Sequence, residues 1–222
     1  MQRQEYGVTD VTYIYIILAV SCSLIISYLS DKYYTKRFDE KIKNIYRIYI
    51  CSAALCGMVG FLYSTDAYGY GITKAIRYFV LIAALIMLGK IDNLKLIIPN
   101  GILIFLIIVR TIILVTDLIE HSSFAFLILS SAGLGIIYGS IVFLIVRLFA
   151  KKSIGMGDIK LLAVVGYYLG STSIIPALVV SLIIAAVYSL IMLIRKKMTL
   201  KDTFSFAPYI AAGTIIILTL GV

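Results

Sequence analysis

The sequence contains eleven acidic side chains, and two of them stand where a carboxylate is hard to justify. Glu5, Asp10, Asp66, Asp117 and Glu120 fall in short polar stretches on one side of the apolar segments. Asp31, Asp39 and Glu40 lie in a basic loop, and Asp202 follows a Lys/Arg run. Asp92 and Asp158 instead sit at the edges of long hydrophobic runs, where a charge is costly unless it is used. Asp158 is held in SIGMGDIKLL, between Gly155, Gly157 and Lys160. Two carboxylates brought close together cannot both ionise easily and so share a proton near neutral pH. The ionised partner can deprotonate a water while the neutral one protonates or polarises a scissile carbonyl. That is aspartyl protease chemistry, and it needs no metal. Gly155 and Gly157 would permit unusual backbone angles and close approach of a peptide, and a helix start at Asp158 would favour its anion. The alternative assignment makes both acids interfacial, paired with Lys95 and Lys160.

Positioning the two acids requires the chain to return to one membrane face. With 62% hydrophobic residues, 14% charged residues and a mean hydropathy of +1.05, the composition is that of a polytopic membrane protein. The apolar runs are continuous rather than alternating, so the spans are helices and the fold class is all-α. Eight segments are predicted: 11–29, 48–64, 76–91, 99–116, 124–149, 158–172, 176–194 and 207–222. Sixteen of the twenty Lys and Arg residues then fall on one side, including Lys32–Arg47, Lys90, Lys95, Arg147, Lys151, Lys152 and Arg195–Lys197. The basic side is cytoplasmic, which puts both termini outside. Asp92 ends the third segment and Asp158 opens the sixth, so both acids meet at the cytoplasmic face. The sixth segment, about 22 Å long, is short for a hydrocarbon core of about 30 Å. The span centres are expected to be nearly free of polar groups. Pro99, Pro176 and Pro208 are expected at the starts of spans. Ser130–Gly139 is a small-residue stretch suited to close helix packing.

Several functions are excluded by the same reading. The net charge of +9 is distributed as loop topology and not as a nucleic-acid surface. Cys22, Cys51 and Cys56 form no C-x-x-C pair and have no histidine cluster nearby, so neither a zinc site nor any other metal or cofactor is expected. No cleaved signal is expected at the first span.

GMGDIK resembles the G-x-G-D-x-K motif of type IV prepilin peptidases, including archaeal preflagellin peptidases. DNLKLIIPN, Asp92 to Asn100, resembles the family's first motif, an aspartate followed at seven residues by the Pro99–Asn100 pair. FSFAPY, Phe204 to Tyr209, is similar to the family's Phe-Gly-Pro element around Pro208, with Ala207 in place of glycine. The resemblance covers about residues 76–222 in the family's order. It implies a six-helix peptidase core over 76–222, preceded by two transmembrane helices in 1–75. It also implies an Asp92/Asp158 catalytic dyad and removal of leader peptides from type IV prepilin, pseudopilin or archaellin-like precursors at the cytoplasmic face of the cell membrane. Membrane lipids are the other implied partners. Larger members carry paired C-x-x-C motifs and a methyltransferase activity between the first two spans. Here that place holds only residues 31–47, without cysteine, so N-methyltransferase activity is not expected. Three rivals remain: a proton-coupled transporter, a non-catalytic pilus or secretion assembly subunit, and a presenilin-type enzyme sharing G-x-G-D.

Overall fold

The computed structural model describes residue 32 and residues 72–149, 155–199 and 202–221. The expected spans at 11–29 and 48–64, the loop 31–47 apart from Lys32, and all three cysteines lie outside the described residues. Within them the chain is helical, with no strand: α1 (Ile72–Lys95), α2 (Asn100–Glu120), a 3-10 turn (Ser122–Phe124), α3 (Ala125–Phe149), α4 (Met156–Ile194) and α5 (Ala207–Leu220). The stretches Asn100–Glu120, Ser122–Phe149 and Met156–Ile194 are each long and apolar enough to cross a membrane. Phe126, Phe149 and Ile183 point outward, as side chains do when the solvent is hydrocarbon. The described residues are those of an all-helical membrane protein.

α4 is not one rod. At Gly170 the backbone takes φ 77° and ψ −178°, a conformation open to glycine and strained for any residue with a β-carbon. The chain reverses there: Asp158 of the first half shares a cavity with Leu182 and Ser189 of the second. The two expected segments at 158–172 and 176–194 are therefore present, but they meet at Gly170 and not at Pro176. Pro176 is a correction to the sequence reading, because it lies within the second half and not at its start. The break occurs where glycine allows it, and the helix has already restarted when the proline arrives. The described residues thus make six alternating helical segments.

A helix broken inside a packed bundle leaves backbone groups that need partners, here beside a cavity of about 720 Å³ that Gly170 lines with Arg110, Asp117 and Glu120. The carbonyl of Tyr167 accepts from Arg110 Nε at 3.1 Å, and the Ser171 N–H donates to Ser131 Oγ at 3.2 Å. Arg110 is only 2% exposed at the middle of α2. This corrects the expectation of nearly apolar span centres. Its charge is matched by Asp117, whose Oδ2 lies 3.1 Å from Arg110 Nη1 and 3.4 Å from Arg77 Nη1. Asp117 therefore ties α1 to α2 at the end opposite the candidate dyad. At that same end, Thr73 Oγ1 donates to Glu120 at 3.0 Å. The Tyr168 hydroxyl closes the set with a 2.8 Å bond to the carbonyl of Leu106.

The small-residue stretch packs as expected. Gly135 of α3 lies against the backbone of Gly166, and Gly139 lies against that of Leu162, too close for any β-carbon. This glycine seam holds the first half of α4 on α3 by backbone contact. The apolar core, with Leu81, Leu85, Leu161 and Tyr168 fully enclosed, fills the space between.

Arg110→Leu is expected to cost about 3 kcal/mol, the low end for breaking a buried ion pair, because Asp117 retains Arg77. The measurement is a thermal melt in detergent. Arg110→Lys should recover only part of the loss, since an ammonium lacks the planar fork that serves Asp117 and Tyr167 together. An unchanged melting temperature in Arg110→Leu would show that the Tyr167 carbonyl does not depend on this cap.

Candidate active site

Asp92 lies in the last turn of α1 and is 5% exposed. Its carboxylate does not serve its own helix. Oδ2 accepts the N–H of Ala207, the first residue of α5, at 3.1 Å, and the carboxylate also accepts the N–H of Phe206. An anion is placed on the positive end of α5 by a neighbouring helix. The fit depends on Gly89, one turn earlier on α1. A β-carbon there would lie 3.1 Å from Pro208 Cα, so glycine lets the start of α5 sit directly on α1. Ser205 Oγ adds a 3.3 Å bond to Asn93 Oδ1. Pro208, in the first turn of α5, needs no N–H partner there.

Asp158 occupies the third position of α4, and Gly155 is the N-cap. Its carboxylate folds back onto the Gly155 N–H, which is the acidic half of a capping box. The glycines act through space, not through unusual angles, and this corrects the sequence reading. Gly155 has an ordinary extended backbone, φ −65° and ψ 139°. A β-carbon on Gly155 would stand 3.0 Å from Asp158 Oδ2. One on Gly157 would stand 3.1 Å from Ile98 Cβ, in the link that follows Asp92. The first glycine leaves room for the carboxylate, and the second lets the two motif segments touch.

Asp92 and Asp158 stand at the same end of the bundle, Asp92 on the start of α5 and Asp158 on the cavity that the same segment lines. Phe206 joins them: its N–H bonds Asp92, and its ring lines the cavity that Asp158 lines. This cavity, about 330 Å³, is bounded by Phe143, Leu182, Ala185, Ser189 and Phe204, so it is mainly apolar. Phe143 and Phe206 pack with ring centroids 5.3 Å apart. Lys160 points elsewhere. Its Nζ donates to Asn100 Oδ1 at 3.2 Å, joining the lysine of one motif to the asparagine of the other. Pro99 is buried as the N-cap of α2. All eight residues singled out from the sequence therefore gather at one end of the bundle: Asp92, Pro99 and Asn100, then Gly155, Gly157, Asp158 and Lys160, then Pro208. Gly89, Phe143, Asn93 and Ser205 were not singled out. For Gly89 a signal existed, a small residue one helical turn before the acid; Asn93 and Ser205 lie within the quoted stretches DNLKLIIPN and FSFAPY; for Phe143 there was none. Among the described residues no group of His, Cys, Asp and Glu could hold a metal ion.

A profile of the type IV leader peptidase family matches residues 79–190. Over 138 residues the chain is 31% identical to the prepilin leader peptidase/N-methyltransferase of Bacillus subtilis (strain 168), covering 62% of this chain and 52% of that protein. The chain thus spans about half the length of the curated relative it matches. No solved structure gives a significant match.

The contact of Gly89 with Pro208 yields a stability contrast. Gly89→Ala should lower the melting temperature, with a cost of about 1–3 kcal/mol for overpacking against a backbone that cannot yield cheaply. Gly101→Ala, on an open face of α2 with nothing within 4 Å, should leave stability unchanged or raise it, since alanine is the better helix former. Equal melting temperatures for the two variants would show that α5 does not sit on Gly89.

Proposed function

Because the chain belongs to the type IV leader peptidase family, we propose that it is a membrane aspartyl endopeptidase that removes the leader from type IV prepilin-like precursors. The observation that carries this reading is the convergence of Asp92 and Asp158 across the Phe206 hinge. They are two carboxylates from distant parts of the chain, each anchored by backbone N–H groups, with an apolar cavity between the helices beside them. The anchoring matters because a carboxylate with fixed acceptor geometry can aim its free oxygen at a water without reorganising. One carboxylate removes a proton from the water, whose oxygen attacks the scissile carbonyl. The other, carrying the shared proton, delivers it to the carbonyl oxygen; when the resulting diol collapses, the first carboxyl passes the proton taken from water to the leaving amine and the second recovers its proton from a diol hydroxyl. The interfacial acid–lysine alternative is less economical, since Lys160 is engaged by Asn100 and Asp158 by Gly155.

The topology that goes with this reading has eight spans, both termini outside, and the six segments from residue 76 onward as the peptidase core. The two acids then face the cytoplasm, where the basic loops lie. The central arginine does not revive the transporter rival, because Arg110 is consumed by the Tyr167 carbonyl and Asp117. The second activity in the relative's name is not carried over, for residues 31–47 contain no cysteine pair.

In membranes supplied with a prepilin precursor, Asp92→Asn and Asp158→Asn should each abolish leader removal. The double variant should be no worse than either single one, as for groups that act as a unit. Glutamate at either position should also fail, since moving the carboxyl by about an ångström costs on the order of a hundredfold. Leader removal by Asp158→Asn at normal protein levels would sink the dyad. In a second assay, purified protein given S-adenosylmethionine and a cleaved pilin should transfer no methyl group; a methylated N-terminus would overturn the single-activity reading.

A further inference from the structure

A second, larger depression lies on the other flank of the α3–α4 glycine seam from the Asp158 cavity. It is about 610 Å³ and runs between α2, Ile136 of α3 and the first half of α4. Its walls are apolar, from Leu103, Ile104 and Ile107 on one side to Ala163 and Val164 on the other. Ile104 and Ile107 are 56% and 44% exposed, so the groove opens to the surroundings of the helices, which for this protein are lipid. At one end stand Asn100 and Lys160, joined by the 3.2 Å bond, which takes one of the three donors of the ammonium. At the other end the Thr111 and Tyr167 hydroxyls meet at 3.2 Å and close the groove.

Three observations identify the occupant. The first is length. From Asn100 to Thr111 the groove follows eleven residues of α2, about 16 Å at helical rise. That is about half of a hydrocarbon core of about 30 Å, the depth of one leaflet. A spanning peptide helix would need a groove twice as long. The second is charge. The open end carries a cation beside the N-terminus of α2, whose dipole favours an anion, while the interior carries no charge. The third is direction. Asp158 faces the cavity on the opposite flank, so a substrate engaged there does not occupy this groove. We propose that the groove binds one acyl chain of an anionic phospholipid of the leaflet on the Asp92/Asp158 side, with its phosphate held by Lys160 and Asn100. Lys160 thus couples the aspartate-bearing helix to the bilayer surface, two residues from Asp158, and sets the depth at which that helix begins.

The site can be scored by binding alone, independently of any peptidase activity. Full-length protein purified in detergent is titrated with phosphatidylglycerol or phosphatidylcholine, and bound lipid is counted by native mass spectrometry. The wild-type chain is expected to bind its first phosphatidylglycerol more tightly than phosphatidylcholine. Lys160→Gln should weaken the former about fivefold and leave the latter unchanged, the scale of one lysine at an anionic headgroup. Ala163→Phe, which fills the groove, should weaken both. Equal binding of the two lipids by the wild type, or undiminished phosphatidylglycerol binding by Lys160→Gln, would overturn the proposal. A photoreactive phenylalanine analogue in place of Ile107 gives an independent reading in membranes that contain a prepilin precursor. A lipid adduct is expected; an adduct to the precursor, or none, would refute the lipid assignment.

Discussion

A helix that breaks inside a packed bundle must hand its free backbone groups to something, and in this protein the hand-over at Gly170 governs the rest. The positive φ ends the first half of α4 after about four turns, Arg110 takes the Tyr167 carbonyl, and Ser131 takes the Ser171 N–H. Without those partners the reversal would leave backbone groups without a hydrogen-bond partner in the protein. With them, one continuous apolar stretch becomes two antiparallel segments. The first of these is too short to span, so the end that carries Asp158 sits where the second half, α3 and the start of α5 can all reach it. The arginine is therefore best understood as part of the scaffold, even though an ionised residue at mid-span would ordinarily suggest transport.

Close approach is the second theme, and glycine supplies it in three different ways. Gly135, Gly139 and Gly166 let α3 and α4 touch backbone to backbone, where hydrocarbon offers no hydrophobic drive and dispersion must serve instead. Gly89 lets the start of α5 rest on α1, which is what delivers the Ala207 N–H to Asp92. Gly157 lets the link after Asp92 press on the helix that carries Asp158. In each case a methyl group would push apart elements whose contact orients one of the two acids. Among the described residues, Gly170 and the C-cap Gly221 are the glycines with a positive φ.

The electrostatics of the candidate site follow from this packing. Asp92 and Asp158 are each placed against the start of a helix, so each negative charge is met by oriented N–H groups that do not have to move. The cavity beside Asp158 is walled by Phe143, Phe204 and Phe206. Lys160 is turned away from Asp158, to Asn100 on α2.

Much of this was legible in the amino-acid sequence by itself. Hydropathy alone determined the membrane class, the helical class and the approximate extents of α2, α3 and α5, because lipid permits few ways to satisfy a backbone. The placement of Asp92 and Asp158 at one end followed from counting segments, since each crossing reverses the face. Local pattern could not tell which contacts hold those acids. That Asp92 caps α5, 115 residues later in the chain, depends on a fit between Gly89 and Pro208 that only the packed structure creates. The roles of Gly155 and Gly157 were misread for the same reason: the sequence shows the absence of a side chain but not the neighbour that fills the space. Pro176 looked like the start of a span, yet the break belongs to Gly170, because the choice between two helix-breaking residues was made by Arg110 and Ser131 on other helices. Composition sets which elements form, through their solvent; which atoms meet is decided by distances between elements far apart in the chain.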